Sequence, residues 1–242
     1  CNTAVYWANS IKAARYRLQP LRDAGLDRLT ISTDDFHTEF IRLENVQIAL
    51  EVAQEVGLEV VLNSVVTKKT RSQADILQAL GQAAANVEHS EWACQPSGVA
   101  TDFIPLGDLF LEPGIPQDAC PAPNFVIRPE GDAYFCCSPS GWKPELKLGN
   151  ARHEPLDLLW SRFCGRELNH ILMQEGPCGF IPAIERDGRR QLLHTHYVDV
   201  CHLCHHILAD PQLRQSVKTE VAQREMARAA ALLQSITVND YA

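Results

Sequence analysis

The sequence predicts an α/β protein: a parallel sheet covered by helices over residues 1–112, a small cysteine-rich α+β region over 113–209, and a C-terminal helix over 210–242. Three observations carry this. Strand-like and helix-like patterns alternate through residues 1–112 in a βαβαβ rhythm. Pro113, Pro116, Pro121 and Pro123 then mark a change of architecture. Seven of the nine cysteines fall between Cys120 and Cys204.

The elements follow in order. "TAVYWA" opens a strand near 2–7, and "SIKAARYRLQPLRDAG" (10–25) is helical, with Pro20 expected to kink it or to start a second short helix. "DRLTIS" (27–32) is a short strand. In "LENVQIALEVAQEVG", Val46, Ala49, Leu50, Ala53 and Val56 share one helical face, and Gly57 is the expected C-cap. "LEVVLNSVVT" (58–67) is an apolar, β-branched run of the kind buried on both faces of a sheet. A helix from about 72 to 88 follows, capped by Ser72, with Ile76, Leu77, Leu80, Ala84 and Val87 inward, and a strand near 90–94 closes the series. Four such strands fit part of a (β/α) barrel or an open doubly wound sheet, and both place ligands at the carboxyl ends of their strands.

Beyond the prolines, "NFVIRP" and "DAYFCC" read as a hairpin closed by "PEGD". Helices are expected at about 154–163 and 166–174, and residues 176–200, with their glycines and prolines, as irregular chain. Asp210 and Pro211 form an N-cap and N1 pair for a last helix over roughly 211–236.

Composition excludes several function classes. With 242 residues, 45% of them hydrophobic, the chain holds one large domain or a medium one with a smaller companion. A net charge of -8 without basic runs argues against nucleic acid. Apolar stretches are too short for a bilayer span, and "CNTAVYWANS" lacks the charged head and apolar core of a signal peptide. A strand beginning at once behind Cys1 leads us to expect that the chain opens inside a domain, a processed amino terminus being the alternative. The cysteines cluster in one half instead of tying the whole chain, which points to metal and a reducing, cytoplasmic compartment.

Cys201 and Cys204 stand at C-x-x-C spacing, Cys136 ends the hairpin, and Cys120 precedes it. Four soft ligands from separate segments suit a tetrahedral sulfur site, either zinc or iron–sulfur, and spacing alone leaves that choice open. A structural zinc knuckle in a binding module without catalysis is the alternative of another class. Cys137 alternates to the face of the strand opposite Cys136, so one of the pair ligates, and Cys136 is preferred. For Cys94, Cys164 and Cys178 the plain reading is a small buried hydrophobe, and for His202, His205 and His206 a supporting or exposed position.

Taken together, "CPAPNFVIRPEGDAYFCC", "LGNARHEPLDLLW" and "YVDVCHLC" resemble the auxiliary-cluster domain, SPASM or the shorter twitch form, of radical S-adenosylmethionine enzymes. That family's order of cysteine, glycine, cysteine and C-x-x-C is met by Cys120, Gly131, Cys136, Cys201 and Cys204. Upstream, "TAVYWA", "LTISTDDFHTEFI" and "NSVVTK" resemble the third, fourth and fifth strands of its barrel, so the fold expected is a partial (β/α) barrel from strand three onward. No cysteine follows Cys204, which implies one auxiliary 4Fe–4S cluster held by Cys120, Cys136, Cys201 and Cys204.

Neither the family's C-x-x-x-C-x-x-C loop nor its glycine-rich motif is present. The resemblance therefore implies a second 4Fe–4S cluster on an N-terminal part that this chain lacks, and a chain inactive by itself. It further implies that Ser32 and Asp34, matching an S-x-D motif, and Asn63 contact S-adenosylmethionine. Turn-capping is the plain alternative for Asp34 and Asp35, a mid-strand position for Asn63, and an ordinary surface position for His37. The activity implied is hydrogen abstraction by a 5′-deoxyadenosyl radical from a peptide or protein side chain, or alternatively from a small-molecule metabolite, with a flavodoxin or ferredoxin as electron donor. The auxiliary cluster would relay an electron or shape the pocket.

Overall fold

The computed structural model describes residues 1–138 and 141–239. They sort into two compact units, Cys1–Cys94 with Leu106–Phe110, and Gln95–Pro105 with Leu111–Ala242.

In the first unit, strands β1 (Asn2–Thr3), β2 (Arg28–Ser32), β3 (Glu59–Val66) and β4 (Glu88–Ala93) form a wholly parallel sheet in chain order. Helices α1 (Ile11–Asp23), α3 (Leu43–Glu55) and α4 (Gln73–Leu80) connect them, with a one-turn α2 (Asp35–Thr38) after β2. Alternation sorts the strand side chains. Leu29, Ile31, Val60 and Leu62 join Leu18, Leu50 and Ile76 of the helices in a single core. Thr30, Ser32, Val61 and Asn63 therefore point to the opposite face. All three long helices cover one side of the sheet.

Local signals account for the helix ends. Ser72 and Asp75 form a reciprocal capping box at the start of α4, and Ser10 caps α1 through the Ala13 amide. Pro20 lies inside α1, so of the two expectations for it the start of a second helix is ruled out. Three further expectations are corrected. The strand near 2–7 is limited to Asn2–Thr3, because Val5 turns the chain with φ +56. The helix expected to reach 88 ends at Leu80, where Gly81 adopts φ +60 and a 3₁₀ turn Gly81–Ala84 follows. Ala84 and Val87 reach the core from outside it. The last strand begins at Glu88 rather than at 90.

The second unit begins with the short helix α5 (Ala100–Phe103). Strand β5 (Glu112–Pro113) pairs antiparallel with β9 (His196–Tyr197). Strands β6 (Pro123–Ile127), β7 (Asp132–Cys136) and β8 (Lys147–Asn150) form an antiparallel sheet in that order. The hairpin between β6 and β7 turns at Gly131, with φ +92, and the Gly131 amide bonds the Arg128 carbonyl at 2.8 Å. Helix α6 (Leu156–Gly165) lays Trp160 and Phe163 against Phe125, with Phe163 also against Phe135. Helix α7 (Glu167–Gln174) follows directly.

Residues 176–200 hold more regular structure than their glycines and prolines suggest. A 3₁₀ turn Pro177–Phe180 runs into α8 (Ile181–Arg186), where Pro182 occupies an early helical position that costs no hydrogen bond. Helix α9 (Val200–Ala209) follows, and α10 (Pro211–Asn239) starts on Asp210, whose carboxylate accepts from the Gln212 and Leu213 amides at 2.8 and 3.0 Å. Leu213 and Val217 dock α10 into a core with Phe135, Leu172, Phe180 and Leu203. Each such burial contributes about 1.5–3 kcal/mol. The part-exposed Arg186–Glu220 pair adds at most about 1 kcal/mol, so docking is mainly hydrophobic.

Candidate metal centre

Three segments carry the four cysteines to one place. Cys120 lies on the chain before β6, and its amide donates to the Leu172 carbonyl at 2.8 Å. The same segment passes tightly over Gly176, where φ is +72 and a side chain would collide with Asp118. Cys136 ends β7. Cys201 and Cys204 sit three apart on the first turns of α9, on one side of that helix. Asp199 caps it, accepting from the Cys201 amide at 2.8 Å and the His202 amide at 3.0 Å.

All four sulfurs line a single cavity whose other walls are apolar, among them Pro121, Phe135, Leu146 and Leu172. Burial pushes all four thiols up, Cys201 to about 12, aided by the Asp199 charge and its cysteine neighbours. Four thiols that resist ionisation together are a set that a soft cation would convert to thiolates, since the metal supplies the missing positive charge. The Ser138 amide donates to Cys136 Sγ at 3.4 Å, a hydrogen bond of the kind that steadies a thiolate ligand.

Among the described residues, no three His, Cys, Asp or Glu side chains stand in an arrangement that holds a metal ion as placed. A single zinc ion needs its sulfurs about 2.3 Å from one centre. An iron–sulfur core is larger and is ligated at its periphery. The residues fit a cluster by donor chemistry, by their shared cavity and by the water-excluding wall.

The other cysteines separate from this set in different degrees. Cys137 is exposed, and its sulfur accepts from Asn124 Nδ2 at 3.6 Å; it lies close enough to raise the Cys120 and Cys136 thiols, yet it does not line the cavity. Cys178 donates to the Glu175 carbonyl at 2.8 Å. Cys164 is exposed and Cys94 is buried in the first unit.

The histidines occupy a separate cluster. The Val198 amide donates to His202 Nδ1 at 3.1 Å, so that nitrogen is an acceptor. Tyr197 Oη accepts from the His194 amide and lies 3.0 Å from His206 Nδ1. Burial, with the neighbouring histidines, pushes His202 and His206 down to about 4. They are neutral rings that brace α9 against Tyr197, and neither lines the cysteine cavity.

In the first unit, Ser32 ends β2 and is in register with Asn63, which is the fifth residue of the eight in β3. Ser32 Oγ donates to Asn2 Oδ1 at 3.4 Å, and Ser90 Oγ donates to Asn63 Oδ1. A polar row thus crosses the helix-free face of the sheet. Asp34 sits differently, at 1% exposure. Its Oδ1 accepts from the His37 amide and meets His37 Nδ1 at 2.8 Å, while Oδ2 accepts from the Val65 amide at 3.0 Å. Burial raises this carboxyl, but the His37 and Val65 bonds outweigh it and hold the pKa below its ordinary value; the Asp34 bond in turn raises His37.

Three participants escaped the sequence reading. Asp199, directly before the C-x-x-C helix, carried a legible N-cap signal. Ser90 was visible only as a strand residue until its register with Asn63 was known. Gly141, packed against Cys136, left no sequence signal.

Comparison with known proteins adds two findings. Residues 120–205 match SPASM, an iron–sulfur cluster-binding domain, and that span opens on the first of the four cysteines and closes just past the last. The Bacillus subtilis (strain 168) protein named "Putative peptide biosynthesis protein YydG" is 22% identical over 205 residues, which is 82% of this chain and 64% of that protein. The chain therefore spans less than two thirds of the length of this curated relative. Together the two matches support the resemblance to a SPASM-containing radical S-adenosylmethionine enzyme.

Proposed function

We propose, from the premise that residues 120–205 form a SPASM iron–sulfur domain, that the chain is part of a radical S-adenosylmethionine enzyme modifying a peptide, with one auxiliary 4Fe–4S cluster on Cys120, Cys136, Cys201 and Cys204. The observation that carries this is the convergence of those four thiols on one apolar cavity. The peptide substrate is supported by the name of the relative.

When bound, the cluster supplies one-electron chemistry, and four thiolate ligands leave it no open iron for substrate. Ser32 and Asn63 would hold S-adenosylmethionine, which would supply the radical chemistry for hydrogen abstraction from the substrate. The chain's own residues do the rest. Phe135, Leu146 and Leu172 exclude water from the sulfurs. The Ser138 amide favours the reduced state of a cluster by donating to Cys136, and the Asp199 charge opposes it.

On the first unit, a parallel sheet in chain order with its helices on one side is consistent with a segment of a (β/α) barrel, whose ligands meet the carboxyl strand ends. In this reading Ser32 and Asn63 present hydroxyl and amide groups to the cofactor from the helix-free face. Asp34 acts from beneath, holding the turn after β2 to β3 through Val65.

The test uses the intact enzyme, reconstituted and reduced without oxygen, with S-adenosylmethionine and a library of peptides deuterated on their side chains. Deuterium recovered in 5′-deoxyadenosine is the expected result. Cleavage that leaves deuterium in every peptide, while a deuterated mixture of small metabolites donates it, would replace the peptide reading. Ser32→Ala and Asn63→Ala are each expected to weaken cofactor binding about tenfold, the loss of one good hydrogen bond.

A further inference from the structure

We infer that His37 is a proton acceptor of the proposed site, its Nε2 taking the proton of a hydroxyl or thiol on the bound peptide while Asp34 holds the ring from behind. The role of His37 rests on the peptide reading above; the geometry of the pair does not.

Ligands meet a parallel sheet at the carboxyl ends of its strands, and His37 stands at such an end, in the one-turn α2 directly after β2. The Asp34 carboxylate beside it is 1% exposed, and both of its oxygens are engaged. Oδ1 meets the His37 amide at 3.0 Å and the ring Nδ1 at 2.8 Å, and Oδ2 meets the Val65 amide at 3.0 Å. An ionised carboxylate only accepts, so Nδ1 carries the hydrogen and Nε2 of the neutral ring carries a lone pair. The ring is 36% exposed. Nε2 has no hydrogen-bond partner among the described residues and is not one of their buried unpartnered atoms, so a ligand can reach it.

Capping α2 needs only the His37 amide; the ring bond and the bond to Val65 go beyond a cap. The turn is braced further by Arg71, which holds Asp35 through its amide at 2.7 Å and its Nε at 2.6 Å, and Thr38 Oγ1 through Nη2 at 2.9 Å. An imidazole fixed in one tautomer by a buried carboxylate, on a turn held from two sides, has the arrangement of a general base. Of the other titratable groups around it, Asp35 is paired with Arg71, and Cys94, which feels Asp34 from the end of the sheet, is a thiol that burial keeps protonated. Asp34 alone raises the imidazole above 6.5.

A lone pair at Nε2 calls for an occupant that brings a hydrogen. A peptide amide is too weak an acid to give it up, whereas a hydroxyl or thiol becomes far more acidic once the adjoining carbon has lost a hydrogen atom. In the step, the O–H or S–H bond breaks, its electron pair stays on the heteroatom, and the proton forms Nε2–H. The imidazolium so formed faces the Asp34 charge, and no oxidation or reduction occurs.

The test uses the intact enzyme with S-adenosylmethionine and the serine-, threonine- and cysteine-containing peptides of the deuterated library. Acylation of His37 by diethyl pyrocarbonate, located by mass spectrometry, should slow at least threefold with these peptides and not with their alanine counterparts. In His37→Asn, whose amide keeps a donor for Asp34, modified peptide formed per deuterium transferred to 5′-deoxyadenosine should fall at least tenfold. The ionisation in the pH profile of that ratio should disappear in His37→Asn and move to lower pH in Asp34→Asn. Acylation indifferent to the peptides, acylation slowed equally by the alanine counterparts, or an unchanged ratio and pH profile in His37→Asn overturns the inference, and acylation decides if the variant does not fold. Deuterium transfer with His37 indifferent refutes the base alone; no transfer from any peptide refutes the peptide reading and the base with it.

Discussion

Gly141 packs so closely on Cys136 that a side chain there would bring its first carbon 2.6 Å from the cysteine sulfur. Real side-chain carbons essentially never come that near, so either the ligand or the loop must move. Gly141→Ala is expected to cut cluster incorporation by half or more after anaerobic reconstitution, with the helical circular dichroism retained. Full iron content in this variant would show that Cys136 does not need its present position.

Asp199 ties the C-x-x-C helix at its start, accepting from the Cys201 and His202 amides and from Gln95 Nε2 at 2.6 Å. Asp199→Ala should lower stability by about 1 kcal/mol, the usual cost of a lost N-cap, and should speed loss of iron to a chelator. Asp199→Asn keeps the cap and should restore most of the stability. Thermal unfolding of the two variants side by side checks this, and equal melting temperatures would remove the cap from the description.

The Asp34–His37 pair sets a pH window for the first unit. The folded carboxyl lies below the ordinary aspartate value of 3.8, so its stabilisation is present above that pH and is lost as pH falls through the lowered value. The folded imidazole lies above 6.5, so its stabilisation is complete below that pH and is lost as pH rises through the raised value. Together they contribute most between about pH 4 and pH 6, and the part-exposed ring keeps the effect small. Titration of the His37 ring by NMR should show its pKa falling in Asp34→Asn; an unchanged pKa would contradict the pairing.

Patterns confined to one element were legible from sequence, and relations across the fold were not. Val46, Ala49, Leu50 and Ala53 are all buried, as a single helical stripe requires, and Ser72 and Asp210 cap the helices they precede. These signals need only neighbours in sequence. Strand β8, four residues with Gly149 at φ +150, is too short to show a period and exists because β7 offers it an edge. The dense prolines and glycines of 176–200 hid α8 because proline is permitted in a first turn. At the site, the four cysteines followed from spacing, whereas the close approach of Gly141 to Cys136 has no local signature. Asp34 stood out as part of a short motif, but its two internal partners, His37 and Val65, depend on β3 lying beside β2.

The most direct measurement is metal and sulfide content of the anaerobically reconstituted chain, compared with Cys201→Ala. About four iron and four acid-labile sulfide per chain are expected, with the broad absorbance near about 400 nm of thiolate-bound iron, and the variant should lose most of both. One equivalent of zinc without sulfide, or undiminished iron in the Cys201 variant, would contradict a cluster shared by the four converging thiols.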